Sequence, residues 1–281
     1  MTIESVYNET RKKLSHLDSS DLEARWIVSE LTRSNEIEIW ANPKKSISEE
    51  DFLKISQAVV RRQQGEPLAY ILGFKEFYNL RFYVDSSTLI PRPETEILVE
   101  QSLKKTLNTP NEPLAICDLG AGSGCIGLTL LKHRLRARLL AVDISSPALE
   151  VTLKNATLLG VENRVEIVNE PVRAEIFQDR KFDLVVSNPP YISPSDQNVA
   201  PDVRRYEPAS ALYADNEGSR FLEEWLAVTK QILKPGGLFA FEFGKGQNTK
   251  VSEILKALEL DHSLEWAQDL QGITRAVIGR K

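Results

Sequence analysis

Hydrophobic spacing changes character twice along the chain. In residues 1–65 apolar positions recur at helical intervals. Ile3, Val6, Tyr7, Thr10 and Leu14 share one face, and Leu22, Trp26, Ile27 and Leu31 make the next. Asp18-Ser19-Ser20-Asp21 is the turn between them, ending in an N-cap. Asn42-Pro43 breaks the pattern. Ser48-Glu49-Glu50-Asp51 then opens another helix with acid in its first turn, which suits the helix dipole, and Phe52, Ile55, Val59 and Val60 supply its buried face. The spacing predicts a small helical bundle, serving as a packing or partner-binding module.

Glycine and proline punctuate the next stretch. Gly65-Glu66-Pro67-Leu68-Ala69-Tyr70-Ile71-Leu72-Gly73 reads as the start of a linker. Residues 75–84 alternate apolar and polar side chains and predict a hairpin. Leu89-Ile90-Pro91-Arg92-Pro93-Glu94-Thr95-Glu96 makes a stiff corner. There Arg92 and Glu94 either face a ligand or serve capping and packing, and Thr95 or Glu94 caps a helix through Leu107.

From Leu114 the period switches to strand, loop and helix, repeated. Strands are predicted at 114–119, 139–143, 165–168, 182–186 and 238–243, with helices at 125–132, 147–159, 221–233 and 251–258. A terminal strand pair follows at 264–269 and 275–279. Such βα alternation implies an α/β fold with a doubly wound, mostly parallel, seven-stranded sheet. The expected organisation is a helical bundle over 1–65, a linker and β-hairpin over 66–88, and a sheet domain over 89–281.

Length and composition fit that division. A chain of 281 residues is long for one domain and short for three. With 35 basic and 40 acidic residues the net charge is −5, which argues against a chain built mainly to grip phosphate backbones. Cys117 and Cys125 give no disulfide framework and read as small core residues of a reducing compartment. The N-terminus lacks an apolar signal-peptide core, and no run of 18 apolar residues occurs, so a cytoplasmic chain without a membrane span is expected. His16, His133 and His262 are scattered, so no metal site is expected.

Two loops carry the candidate chemistry. Gly120-Ala121-Gly122-Ser123-Gly124 joins a strand to a helix, where bare backbone approaches a ligand and the helix start offers free N–H groups. The spacing is G-x-G-x-G with no following Lys-Ser/Thr, which disfavours a triphosphate loop. Asp143 ends the next strand, placed for a ribose diol. Asp118 either holds the loop backbone or faces the cationic end of a ligand. The second loop, Ser187-Asn188-Pro189-Pro190-Tyr191, leaves a buried strand in a stiff extended turn. It either aims the Asn188 amide and Pro189 carbonyl at a planar NH2 group, with Tyr191 beside it, or is an ordinary turn.

Asp118-Leu119-Gly120-Ala121-Gly122-Ser123-Gly124, Asp143 and Asn188-Pro189-Pro190-Tyr191 resemble, in order, the motifs of class I S-adenosylmethionine-dependent methyltransferases that act on planar nitrogen. Over nearly the whole chain the sequence is similar to the release-factor glutamine methyltransferases of HemK/PrmC type, through 65–73, 89–96 and Asp202-Val203-Arg204-Arg205-Tyr206-Glu207-Pro208. The resemblance implies a Rossmann-like fold and S-adenosylmethionine held by Asp118, Gly120, Ala121, Gly122, Ser123, Gly124, Asp143, Ile144, Glu170 and Asn188. Glu170 stands in for the acid that the family often places after its third strand. Catalysis is implied at Asn188, Pro189, Pro190 and Tyr191, and substrate binding at these and Arg92. The substrate is implied to be a glutamine of a peptide chain release factor, docked by the N-terminal bundle. The alternative is a DNA or RNA exocyclic-amine methyltransferase acting on a flipped base. The acidic net charge and the lack of a basic recognition domain favour the protein substrate.

Overall fold

The computed structural model describes residues 1–106 and 113–281, in two compact units. The expected helix end at Leu107 lies outside the described residues. The first unit comprises Met1–Phe74 and Pro201–Tyr206. Its helices are α1 (Ile3–Lys13), α2 (Ser20–Leu31), α3 (Glu36–Ala41), α4 (Glu49–Gln63) and α5 (Leu68–Leu72), with a further short helix at Pro201–Tyr206. Ile3, Tyr7, Ile27, Val28, Ile39, Ile55 and Val59 form its core.

Side-chain caps mark the starts of α1, α3 and α4. Ser48 accepts the N–H of Asp51, and Thr2 forms a capping box with Ser5. The N-cap of α2 is Ser19, not Asp21, whose carboxylate accepts the Tyr7 hydroxyl. The inward stripe of α2 also differs from expectation. Glu23, Ala24, Ile27 and Val28 are buried, whereas Leu22 and Trp26 are exposed. Glu23 is turned inward because Arg62 of α4 pairs with it there. Val60, expected inside, is exposed, and Ala58 is buried instead. Residues 65–73, expected to begin a linker, contain α5, and Ile71 packs in the bundle core.

The second unit begins at Lys75, within a hairpin of β1 (Phe74–Phe77) and β2 (Leu80–Tyr83). Tyr78 and Asn79 both have positive φ, 49° and 58°, as a two-residue hairpin turn requires. Next come a 3₁₀ turn at Pro93–Thr95, α6 (Glu96–Lys105), β3 (Ala115–Leu119), α7 (Cys125–His133), β4 (Arg138–Val142), α8 (Ser146–Leu158), β5 (Val165–Val168) and β6 (Phe182–Ser187). With Pro201–Tyr206 counted as α9, the remainder is α10 (Ala209–Leu212), α11 (Arg220–Ile232), β7 (Leu233–Glu242), α12 (Asn248–Ala257), β8 (Glu265–Gln268) and β9 (Thr274–Arg280).

The seven-stranded sheet has the order β5-β4-β3-β6-β7-β9-β8, with β3 to β7 mutually parallel and β9 antiparallel to both neighbours. Alternate strand residues feed two apolar layers. Ile116, Leu139, Ala141, Leu184 and Val186 meet Leu98, Leu103, Leu130 and Leu131 on one face. Cys117, Leu140, Val142, Val185 and Phe239 meet Leu222, Leu226, Val251 and Leu255 on the other. Burial on both faces is why these strands read as continuous apolar runs. The chain winds from β3 out to β5, then returns to place β6 on the far side of β3. That reversal opens a crevice at the carboxyl ends of β3 and β6.

Lys234-Pro235-Gly236-Gly237, read as a helix stop, is also a wide bulge in β7. Register passes from Phe182↔Leu233 to Leu184↔Leu238, and Lys234 Nζ reaches back to the carboxylate of Asp183.

Candidate active site

The crevice between β3 and β6 holds a cavity of about 420 Å³. Its floor is the glycine loop. The N–H groups of Gly120 and Ala121 both donate to the Val142 carbonyl, at 2.8 and 3.0 Å, folding the loop across the end of β4. Gly120 has φ 71°, and a Cβ there would lie 2.8 Å from the Trp225 ring. Gly122 has φ 56° and open space where a Cβ would point. Its N–H donates to Asp143 Oδ2 at 2.9 Å, while Asp143 Oδ1 accepts from Ser145 N at 2.9 Å. Burial raises the Asp143 pKa, and these N–H donors oppose it. Each carboxylate oxygen keeps acceptor capacity for a ligand hydroxyl.

Asp118 is fully buried and does not line the cavity. Its Oδ2 accepts the Gly127 N–H at 3.0 Å, in the first turn of α7, and Oδ1 has no partner among the described residues. Burial pushes its pKa up to about 7. Of the two readings of Asp118, the structure shows the backbone-holding contact. Asn155 of α8, absent from the sequence expectations, is also fully buried. Its amide nitrogen donates to Ser123 O and Tyr83 O, and its oxygen accepts from Tyr83 N, tying loop, helix and hairpin together.

The opposite wall starts where β6 ends. Ser187 Oγ donates to Leu119 O at 2.8 Å, joining the two strand ends. Asn188 lines the cavity, and its Nδ2 donates to Thr95 Oγ1 at 3.1 Å. Thr95 therefore occupies the N-cap position of α6 without capping it. Pro190 lines the cavity, whereas Pro189 and Tyr191 lie behind its surface. The Tyr191 hydroxyl donates to Glu242 Oε1 at 3.2 Å, and burial raises its pKa strongly. Glu242, at the end of β7, is 1% exposed, and burial pushes its pKa up to about 7. Its Oε2 has no partner among the described residues.

Arg92 lines the cavity with its guanidinium engaged by the buried Glu207, whose other oxygen accepts Ile90 N. Ala121, Ser123 and Ile144 also line it, and Gly124 stands just outside as the N-cap of α7. Glu170 does not line the cavity. Its side chain is half-exposed and pairs with Arg173 at 3.0 Å, whereas its successors Pro171 and Val172 do face the cavity. Asn169 Nδ2 donates to the carbonyls of Asp143 and Ile144, fixing that corner. Cys125 packs against the core and also lines the cavity, and burial pushes its thiol pKa up to about 12.

Sequence reasoning missed Asn155 and Glu242, and also Phe221 and Trp225 of α11, which line the cavity, and took Thr95 only for a cap. Asn155, Glu242 and Trp225 sit mid-helix or at a strand end with no local motif. Among the described residues no group of three or more His, Cys, Asp or Glu side chains is placed to hold a metal, and no helix is long and apolar enough to cross a membrane.

The cavity's size, its apolar walls and the few convergent polar groups suit a nucleoside-sized ligand. Residues 94–205 match the methyltransferase small domain family and residues 5–73 the PrmC N-terminal domain family. The hMettl16 catalytic domain, solved with a MAT2A 3′UTR hairpin, superposes with a TM-score of 0.56 at 14% identity, over 84% of this chain and 82% of that one. The T. thermophilus 16S rRNA methyltransferase in complex with AdoMet and guanosine gives 0.51 at 15% identity, over 74% and 49%. Fold and family match together define a Rossmann-like, class I methyltransferase. Over its full length the chain is 34% identical to a release factor glutamine methyltransferase of Nitratidesulfovibrio vulgaris, covering 95% of that protein. It is 35% identical to one of Geobacter sulfurreducens over 99% of this chain and 96% of that protein. The chain belongs to the release factor glutamine methyltransferase family.

Proposed function

We propose that the chain transfers a methyl group from S-adenosylmethionine to the side-chain amide nitrogen of a glutamine in peptide chain release factors, a cytoplasmic reaction. The observation that carries this reading is Asn188. It stands at the switch point beside the glycine loop, with its amide nitrogen turned inward onto Thr95. Its Oδ1 is then the end left to accept an N–H from an incoming planar amide.

S-adenosylmethionine, when bound, supplies an electrophilic methyl carbon on a sulfonium. Asp143 would take the ribose diol, the backbone of Gly120–Gly124 would lie along the ligand, and Ile144, Pro171 and Val172 would line an apolar slot for the adenine. A glutamine amide is a poor nucleophile because its lone pair is delocalised. Asn188 Oδ1, accepting one N–H, favours positive character on that nitrogen and holds it for attack, and the Pro189 carbonyl, set back from the cavity surface, is the second acceptor that the resemblance implies. Tyr191, set behind the cavity surface on Glu242, backs the Asn188 loop, and Arg92, held by Glu207, shapes the entrance. The bundle supplies a docking face: Trp26, Ile37 and Trp40 are exposed there.

Purified release factor, DNA or RNA incubated with labelled S-adenosylmethionine tests the reading. Label is expected on a release-factor glutamine, and label only in nucleic acid sinks it. Asn188→Ala is expected to lower turnover by about 10²–10³-fold while cofactor affinity changes little. Near-normal turnover in that variant would remove the acceptor role.

A further inference from the structure

We propose that Thr95 and Glu242 are positioning residues that dictate which end of the Asn188 carboxamide faces the substrate; the proposal rests on the amide-methylation reading above. A carboxamide is nearly symmetric in shape, so packing alone does not choose between its oxygen and its nitrogen. Hydrogen-bond polarity does. Asn188 Nδ2 donates to Thr95 Oγ1 at 3.1 Å. Thr95 is 2% exposed and its hydroxyl adjoins the Glu242 carboxyl, acting to lower that group's pKa against burial. Tyr191 donates to Glu242 Oε1, and Oε2 is buried and unpartnered among the described residues, ready for a second donor.

The polarity of this chain of groups follows from the charge on Glu242. An ionised carboxylate only accepts. It then takes the Thr95 proton, Thr95 Oγ1 presents lone pairs to Asn188, and Nδ2 must turn inward. Oδ1 is left facing the cavity as an acceptor. A protonated Glu242 keeps one accepting oxygen, which Tyr191 already uses, and gains an O–H that is turned on Thr95 Oγ1. The Thr95 proton then points at Asn188, Oδ1 is drawn inward, and the outward NH2 meets a substrate NH2 donor to donor. Thus one buried proton inverts the acceptor that grips the amide.

The other groups around Glu242 leave it as the group that switches near neutrality. Arg275 of β9 acts to lower its pKa, Glu94 of the 3₁₀ turn to raise it, and burial dominates. Tyr191 and the Cys125 thiol of α7 are both pushed well to the alkaline side.

Two measurements on the full chain decide the matter. The first needs no substrate. In asparagine-¹⁵N-labelled protein, the Asn188 side-chain amide signal is identified by its loss in Asn188→Ala. It is expected to titrate through neutral pH in the wild type and to stop titrating in Glu242→Gln and Thr95→Val. The second is turnover on purified release factor. Thr95→Val is expected to lower kcat by about 10–100-fold with cofactor KM within about twofold, and Thr95→Ser to recover most of it. The acid limb of the wild-type kcat profile should vanish in Glu242→Gln. Thermal melting confirms that each variant folds. An Asn188 signal that does not titrate, or a Thr95→Val enzyme with wild-type kcat and pH profile, overturns the proposal. If the wild type fails to methylate release factor while the amide titration behaves as expected, the substrate reading fails and the positioning role stands.

Discussion

Asp118 and Glu242 are buried carboxyls whose folded pKa values, each about 7, lie above the ordinary 3.8 and 4.5. Below about pH 4 both are protonated in folded and unfolded chains alike, and they contribute no difference. Between about pH 4 and 7 the unfolded chain releases protons that the folded chain keeps, so stability falls as pH rises and levels off above 7. Urea unfolding at pH 5 and pH 8 is expected to show that fall, and Asp118→Asn to reduce it by roughly 1–4 kcal/mol. Glu207 offers a contrasting case. Glu207→Ala strands Ile90 N and the Arg92 guanidinium, a loss of roughly 2–4 kcal/mol readable in the same titration. Asn188, Asp143 and the glycine loop were legible in the sequence because each sits in a local pattern that ends a strand. Thr95 and Glu242 were not, because their meaning lies in partners 93 and 51 positions away along the chain. Glu170, expected after β5 as a cofactor ligand, pairs with Arg173 at the surface, and its successors Pro171 and Val172 line the cavity.

Elements were legible wherever periodicity and punctuation agreed. The expected strands and helices of the sheet unit recur within a few residues of their observed ends. The exceptions share a cause, namely that glycine and proline mark a change of backbone direction without saying what lies on either side. Gly65 to Gly73 looked like a linker, yet Pro67 starts α5 and Gly73 ends it in a left-handed conformation. The Lys234 to Gly237 run stopped a helix as expected but also buckled a strand. Amphipathic stripes failed where charge was buried. Glu23 is drawn in by Arg62, and Leu22 and Trp26 are turned out. The hairpin turn gives a prediction at this scale. Asn79 sits at φ 58°, a conformation glycine adopts at less cost. Asn79→Gly is expected to stabilise the protein by about 0.5–1 kcal/mol, seen as a higher melting temperature.

For the whole molecule, a ligand that binds only the folded chain must stabilise it. S-adenosylhomocysteine at a hundred times its dissociation constant is expected to add about 2.7 kcal/mol to unfolding. Gly120→Val, which drives a side chain into Trp225, should abolish that gain, and calorimetry with and without ligand checks it. Exposure of Trp26 and Trp40 on the bundle carries a second expectation: their joint replacement by Ala raises the KM for release factor and leaves the cofactor KM unmoved. The parallel sheet was legible from βα alternation, but its strand order was not, because nothing local says on which side of β3 the chain returns. The order has a further consequence for how the protein is made. β8 precedes β9 in the chain, yet β9 lies between β8 and the rest of the sheet. During synthesis on the ribosome, β8 therefore emerges with no strand to pair with, and β7 keeps an open edge until residues 274–280 arrive. A chain arrested after β8 would present that bare apolar edge to its neighbours and aggregate. Nascent chains stalled before and after β9 should differ sharply in protease resistance across β7.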